Sequence, residues 1–188
     1  MLILRGDVAL SDFRLIKINQ QLANLAASYR VADTHYAYLV ALRSPLDEAQ
    51  LERLTALLSA STEIPLSDGL SHQCIVSPRV GTISPWSSKA TEIARQCGLV
   101  DVLRIERVLV YQLDQSLRAN DERSLTPLWD RMTQSVWRDW GALTALFAEH
   151  DPAPLEQVAV WSSGTPEGLL KANQDLGLGV ADDEIDYL

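Results

Sequence analysis

Three histidines and two cysteines are the side chains with which this sequence could perform nucleophilic or acid–base chemistry. A cysteine or serine nucleophile needs a base within hydrogen-bonding distance. His35 begins a strand-like run, His72 precedes another, and His150 lies in a region broken by prolines. Histidines in such positions are far more often structural or solvated than catalytic. We therefore expect no catalytic residue in this chain.

The two cysteines are expected to be buried thiols. Cys74 stands in an apolar strand-like run, and Cys97 stands on the apolar face of a predicted helix. Free cysteines so placed behave as small apolar residues, and they give neither a disulfide framework nor the spacing of metal ligands. We expect neither a disulfide nor a metal site.

The segment 79–89 has groups that suit an anion, namely a glycine, several hydroxyls and a lysine ahead of a predicted helix. It lacks the GxxxxGK(S/T) spacing of a phosphate-binding loop, and Pro85 and Trp86 would crowd a phosphate. Two other interpretations stay open. Either Ser87 or Ser88 caps the helix while Trp86 packs locally, or Trp86 is an anchor at an interface. The candidate interface residues are Arg79, Gly81, Thr82, Ser84, Pro85, Trp86, Ser87, Ser88 and Lys89.

Composition places the chain among soluble globular proteins with one domain and a tail, since it has 188 residues, 47% of them hydrophobic and 22% charged. The net charge of -9, with no cluster of Lys and Arg, argues against nucleic-acid binding. No apolar run reaches the length of about 20 residues that spans a bilayer, and no signal peptide is visible. We expect a cytoplasmic protein without a membrane partner. The acidic run 182–186 is interpreted as a solvated helix start.

The elements that position these residues follow from periodicity. In the first half, an apolar run at 1–4 predicts a strand, Ser11 caps a helix that runs to about 28, and 35–42 alternates as a strand does. Ser44 is predicted to cap the next helix, with proline at its first position. A polar loop over 61–70 then separates the two halves.

The second half repeats this order. It has a strand at 73–77, a helix at 88–97 that Gly98 ends, a long strand at 102–113, and a helix opened by Thr126 and Pro127 whose buried face carries Leu128, Met132 and Val136. Two such units can bury their apolar faces against each other.

We therefore predict an α+β fold of two strand-helix-strand-helix halves, related by approximate two-fold symmetry, over residues 1–148. Residues 149–188 are predicted to begin a mostly irregular, hydrophilic linker with one short helix at 166–176.

The stretch 78–91, PRVGTISPWSSKAT, closely resembles a segment of the large, single-chain phosphoribosylformylglycinamidine synthases. Other segments agree with that family in order, among them 2–6, 97–99, 104–107, 130–132, 152–154 and 182–188. In the family, the amino-terminal domain looks like two copies of a small auxiliary subunit that the multi-chain enzymes use as a dimer. The resemblance thus implies the internal repeat as well.

The resemblance implies a non-catalytic, amino-terminal structural and interaction domain of an ATP-dependent ligase that hydrolyses glutamine. That enzyme converts formylglycinamide ribonucleotide to its amidine in purine biosynthesis. Its partners would be the synthetase and glutaminase domains further along the same polypeptide. ATP and magnesium would belong to the parent enzyme, and no cofactor to this chain. The alternative is a free-standing ferredoxin-like regulatory or anion-binding module that uses the 81–89 loop.

Overall fold

The computed structural model describes residues 1–25, 29–61, 64, 72–116, 122–148, 154–155, 157–161 and 165–187. The chain divides into two compact units, Met1–Glu149 and His150–Leu188.

The described part of the first unit forms a five-stranded antiparallel sheet with the order β1-β2-β4-β3-β5. Its strands are rich in the β-branched and aromatic residues that pack well on a pleated surface. The two longest strands pair with each other at the centre, where Tyr38 lies opposite Arg107. The pairing joins the two halves of the chain. The strands are β1 (Leu2–Val8), β2 (Val31–Leu42), β3 (Gln73–Pro78), β4 (Val102–Leu113) and β5 (Gln134–Trp137).

Three helices pack on one face of this sheet. They are α1 (Asp12–Asn24), α2 (Glu48–Leu58) and α3 (Pro85–Gln96). Helices α2 and α3 contribute Leu54, Leu58 and Ala94 to one apolar cluster with Leu4, Val40 and Ile105. Helix α1 contributes Leu22 to a second cluster with Val31, Cys74 and Tyr111. Both clusters lie on the same face because side chains two residues apart along a strand project to the same side.

The opposite face is covered by the 3₁₀ helix Gly141–Phe147 and the tryptophan that precedes it. Trp140, Leu143 and Leu146 are buried against Leu39 and Val110. The sheet is therefore apolar on both faces. A strand buried on both faces needs apolar residues at consecutive positions rather than at alternate ones, as β4 shows from Val108 to Val110.

The α+β class predicted from the sequence is confirmed, and the strand at 102–113 has the predicted bounds. The helix predicted to begin at Thr126 is wrong. Those residues form a 3₁₀ helix, Glu122–Leu128, with Pro127 inside it, and then strand β5. Met132, which was placed on the buried face, is exposed. Proline removes a helical donor, and the edge of β3 offers 134–137 a better partner.

A two-fold axis between β2 and β4 would exchange β1 with β3 and β2 with β4. The strand order β1-β2-β4-β3 is consistent with such an exchange. Strand β5 departs from such a relation, because it extends the sheet beyond β3 only. The approximate two-fold symmetry stays a prediction.

Two helix starts differ from their predicted positions. Helix α2 is capped by Asp47, whose carboxylate accepts from the Gln50 backbone N–H at 2.7 Å in a capping box, and not by Ser44. The Ser44 hydroxyl donates instead to Asp101 at 2.6 Å. Helix α3 begins at Pro85 with Ser84 as its cap. Ser11 precedes α1 as predicted, although its side chain makes no capping hydrogen bond. Apart from 61 and 64, the predicted loop 61–70 lies outside the described residues.

The second unit contains helices α4 (Glu167–Leu176) and α5 (Asp182–Tyr187), and the first of these confirms the helix predicted at 166–176. Asn173 holds the turn after α4, because its side chain exchanges two hydrogen bonds with the Val180 backbone. The acidic residues at 182–184 form the exposed first turn of α5, as predicted. Within the described residues, no helix combines the length and the apolar character needed to cross a bilayer.

Candidate interaction surface at the 79–89 segment

The 79–89 segment leaves β3 through a tight turn. The Thr82 backbone N–H and hydroxyl both donate to the Arg79 carbonyl, at 3.2 and 2.6 Å. Gly81 occupies the left-handed region with φ of +81°, and a Cβ there would meet no atom within 4 Å. Glycine is therefore required by the backbone conformation and not by close approach of another group. The turn points its apolar side chains outward, since Ile83 is 61% exposed.

A buried carboxylate fastens the start of α3. Glu106 on β4 is fully buried and accepts from the Ser84 hydroxyl at 3.1 Å and from the Ser84 backbone N–H at 3.4 Å. The Ser84 oxygen in turn accepts from the Ser87 N–H at 3.0 Å. The helix cap is thus connected to a strand more than twenty residues away. The interpretation in which Ser87 or Ser88 caps the helix is wrong, because the residue before Pro85 is the one with the extended backbone of a cap.

Arg104 neutralises this carboxylate and holds the turn. Its Nη2 donates to Glu106 at 2.6 Å and to the Thr82 carbonyl at 2.8 Å, and its Nη1 donates to the Leu146 carbonyl at 2.9 Å. The guanidinium also lies 5.5 Å from the centre of the Phe147 ring. One arginine therefore links β4, the turn and the 3₁₀ helix that covers the sheet.

Trp86 is held from the other face of the same strand. Its ring stacks on Tyr38 with 5.6 Å between centroids and 14° between planes, and the Arg107 guanidinium lies 4.8 Å from its centre. The other neighbour of Arg107 is the ring of Tyr36, at 4.4 Å. Cation–π contacts of this kind fix the guanidinium and the indole together. Neighbouring residues of a strand project to opposite faces of the sheet. Arg104 and Glu106 therefore contact the 79–89 segment from one face, and Arg107 contacts it from the other.

The candidate residues divide into an inward and an outward set. Thr82 and Ser84 use their polar groups internally, and Ser87 is fully buried. Trp86 is half-buried and packs locally, and its role at an interface stays a prediction. The exposed members are Arg79, Gly81, Thr82, Pro85, Ser88 and Lys89.

Between α2 and α3 lies a groove of about 200 Å³, which we call the α2–α3 groove. Trp86 and Lys89 line it at one end, and Leu54 and Ile105 are its most deeply buried lining residues. Its remaining lining is aliphatic, from Leu57, Leu58, Ala90, Ile93 and Ala94. This groove adjoins the candidate segment, and no motif in the sequence marked it.

The two described histidines, His35 and His72, lie in different environments. His35 is buried, and its pKa is lowered to about 4 by burial, with a further lowering from Arg5 and an opposing effect of Asp33. His72 Nε2 lies 3.3 Å from the Ser116 hydroxyl, and His150 is outside the described residues. The Ser116 hydroxyl and the His72 imidazole are thus within hydrogen-bonding distance at an exposed position, and the absence of catalysis stays a prediction. In the part of the chain that the structure describes, no three metal-ligating side chains cluster.

The two cysteines have different environments. Cys74 is buried, and burial raises the pKa of its thiol to about 12. Cys97 is exposed, so the prediction that it packs in the core is wrong. It lies at the cap position after the last turn of α3, where the Arg53 guanidinium donates to its carbonyl at 3.0 Å.

A family model described as formylglycinamide ribonucleotide amidotransferase N-terminal matches residues 35–147, which is more than half of the chain. The chain belongs to this family. Membership makes it a domain of an amidotransferase of purine biosynthesis and confirms the resemblance found in the sequence. The matched region of the amidotransferase family runs from β2 to the 3₁₀ helix Gly141–Phe147, so it contains both 79–89 and 104–107.

The sequence did not lead us to predict which residues of this amidotransferase domain hold the 79–89 segment in place. Arg104, Glu106 and Arg107 stand in a strand whose other residues are mostly apolar, and an ionisable residue inside a central strand must find a partner. The charged residues in this strand therefore predict that each has a partner, but they do not predict which residue that partner is.

Proposed function

We propose that this chain is a non-catalytic structural and interaction domain of an ATP-dependent, glutamine-hydrolysing ligase. The parent enzyme converts formylglycinamide ribonucleotide to formylglycinamidine ribonucleotide. The domain contacts the synthetase and glutaminase domains of the same cytoplasmic polypeptide and keeps them aligned for ammonia transfer. ATP and magnesium bind to those other domains.

The arrangement of the 79–89 segment carries this proposal. In an active site, polar groups converge on an open space where substrate binds. Here Thr82, Ser84, Arg104 and Glu106 converge on one another. What remains outward is apolar or cationic, notably Ile83 and Lys89. A rigid turn that exposes such side chains suits protein docking better than chemistry.

The alternative of a free-standing anion-binding module is less favoured by the electrostatics. An anion at the amino terminus of α3 would use the positive end of the helix dipole. The Glu106 carboxylate already lies there, bonded to Ser84. An external anion would have to compete with this carboxylate for the Ser84 donors.

The docking role is tested in a full-length amidotransferase that contains this domain. Ile83→Lys places a charge on the exposed turn, and Val100→Lys makes the same change at a position that is 63% exposed, after the far end of α3. We expect the ratio of glutamate to amidine formed to rise well above one for Ile83→Lys only, because poorly docked domains lose ammonia. A ratio near one in both variants, with this domain folded, would contradict the proposal.

The absence of catalysis is tested on the chain itself. Incubated with glutamine or with ATP and magnesium, it is expected to release no glutamate and no phosphate above the blank. Turnover that a single substitution in this chain abolishes would refute a non-catalytic role.

A further inference from the structure

We infer that the α2–α3 groove receives an apolar side chain that lies beside a carboxylate, from a neighbouring domain of the same enzyme. This inference rests on the proposed function and names the docking face within it. The observations that carry it are the size of the groove, the rigidity of its walls and the charge at its mouth.

The groove has the size of one large side chain. Its volume is about 200 Å³, and an apolar cavity of roughly 150 Å³ is enough for benzene. Leu54 and Ile105 are fully buried in the groove, whereas Leu57 on α2 is 37% exposed at its rim. Such a surface accepts a phenyl ring or a branched aliphatic side chain.

The walls are fixed before any partner binds. Trp86 is stacked on Tyr38 and covered by Arg107, so its ring has little freedom to lose. At the other end of α3, the hydrogen bond from Arg53 to the Cys97 carbonyl connects α2 to α3. A preformed groove binds without the entropy cost of ordering its own side chains.

Lys89 selects the charge of the partner. It is exposed at the groove, it forms no ion pair with another described residue, and the groove is otherwise lined by apolar residues. Lys89 is the charged residue among those that line the groove, and it gives the mouth of the groove a positive charge although the whole chain carries a net charge of -9. Opposite charge at the rim of an apolar contact sets the register of docking. The same net charge disfavours a second copy of this chain as the occupant, because two acidic copies repel each other.

The test uses 4-phenylbutyrate as the probe and 4-phenylbutylamine as its matched opposite. Each is titrated into the isolated chain with labelled methyl groups. We expect saturable shifts for the acid, confined to the methyl groups that line the groove, those of Leu54, Leu57, Leu58, Ile93 and Ile105. The amine, with the same ring and chain, is expected to bind more weakly because Lys89 repels it.

Three variants locate the effect. Lys89→Glu is expected to weaken binding of the acid about fivefold, the scale of an exposed ion pair, and to favour the amine. Ala90→Trp fills the groove and is expected to abolish the shifts. Ala56→Trp makes the same change at an exposed position of α2 and is expected to leave binding unchanged. Lys89→Glu suffices if Ala90→Trp does not fold.

Several outcomes would overturn the inference. They are equal binding of acid and amine, shifts spread over the sheet, or no saturable shift because the chain's own residues fill the groove. Methyl shifts that depend on protein concentration without the probe would assign the groove to a second copy. The proposed function could survive these results, because the ratio of glutamate to amidine is measured through Ile83 in the full enzyme.

Discussion

His35 is a titratable side chain that the fold holds neutral. It is 4% exposed inside β2, and no described residue bonds to its Nδ1. Burial is the main cause of its lowered pKa, and among the charged groups Arg5 lowers the pKa further while Asp33 raises it. Burial disfavours the charged form of the imidazole in the folded chain, so the contribution of His35 to stability depends on pH.

The expected pH dependence has a definite sign. The pKa is about 4 in the folded chain and 6.5 when His35 is unperturbed, so between pH 6.5 and pH 4 the unfolded chain binds the proton and the folded chain does not. The free energy of unfolding therefore falls as the pH drops from 6.5 to 4, by about 3 kcal/mol in total, and this contribution then levels off. His35→Gln should remove that difference in urea melts at a series of pH values. Identical pH profiles for the two proteins would contradict it.

The ion pairs Arg104–Glu106 and Arg5–Asp33 differ in burial, and we expect them to differ in energy. Glu106 is fully buried against Arg104, whereas Arg5 and Asp33 are half exposed and 3.9 Å apart. Glu106→Ala leaves a guanidinium and the Ser84 groups without their acceptor and should cost about 3 kcal/mol or more. Asp33→Ala should cost less than about 1 kcal/mol at neutral pH. Chemical denaturation measures both, and similar losses would argue against the fastening role of Glu106.

The residues that precede helices α1, α2 and α3 make different capping contacts, so the free-energy cost of replacing each by alanine can be compared within one protein. Ser11 precedes α1 without a side-chain bond, Asp47 caps α2 in a capping box, and Ser84 caps α3 while donating to Glu106. Alanine at these positions should cost less than about 0.5, about 1, and about 2 kcal/mol in that order, because each step removes one more buried or capping contact. Thermal melts that rank the variants otherwise would show that Ser84 is an ordinary cap.

The same helix starts explain what the sequence could and could not predict. The strand at 102–113 was found because its apolar run is long, and Gly98 correctly marked the end of α3. The cap at Ser44 failed because Asp101, far along the chain, bonds its hydroxyl. Strand β5 was missed because four residues carry little periodicity and become a strand only against the edge of β3. Such long-range partners are not encoded in local spacing.

For the candidate site, the sequence marked the segment but not its support. The stretch 79–89 was selected from its residues, whereas Glu106 and Arg107 acquire their roles through sheet register. The α2–α3 groove joins residues from two helices that are separated by strand β3. No single window of the chain contains it.

The first unit depends on both halves at once, because β2 and β4 pair along nearly their whole length in the middle of the sheet. Neither half alone can build more than a short ribbon, which is marginal in water. Peptides 1–61 and 72–148 should each lack the far-ultraviolet signal of folded structure when separate, and should regain it when mixed. A folded signal from either peptide alone would refute this interdependence.

Because the two thiols differ in exposure, their rates of alkylation can be used to measure unfolding of the native chain. Cys97 is exposed, whereas Cys74 lies beneath α1 in the core with its pKa raised to about 12. A maleimide at neutral pH should alkylate Cys97 at once and Cys74 only when the sheet opens, because the reactive species is an accessible thiolate. The slow second modification then gives the rate of native-state unfolding without denaturant. A dye on Cys97 leaves the core intact and marks the carboxyl end of α3, so its emission can report contact with a neighbouring domain.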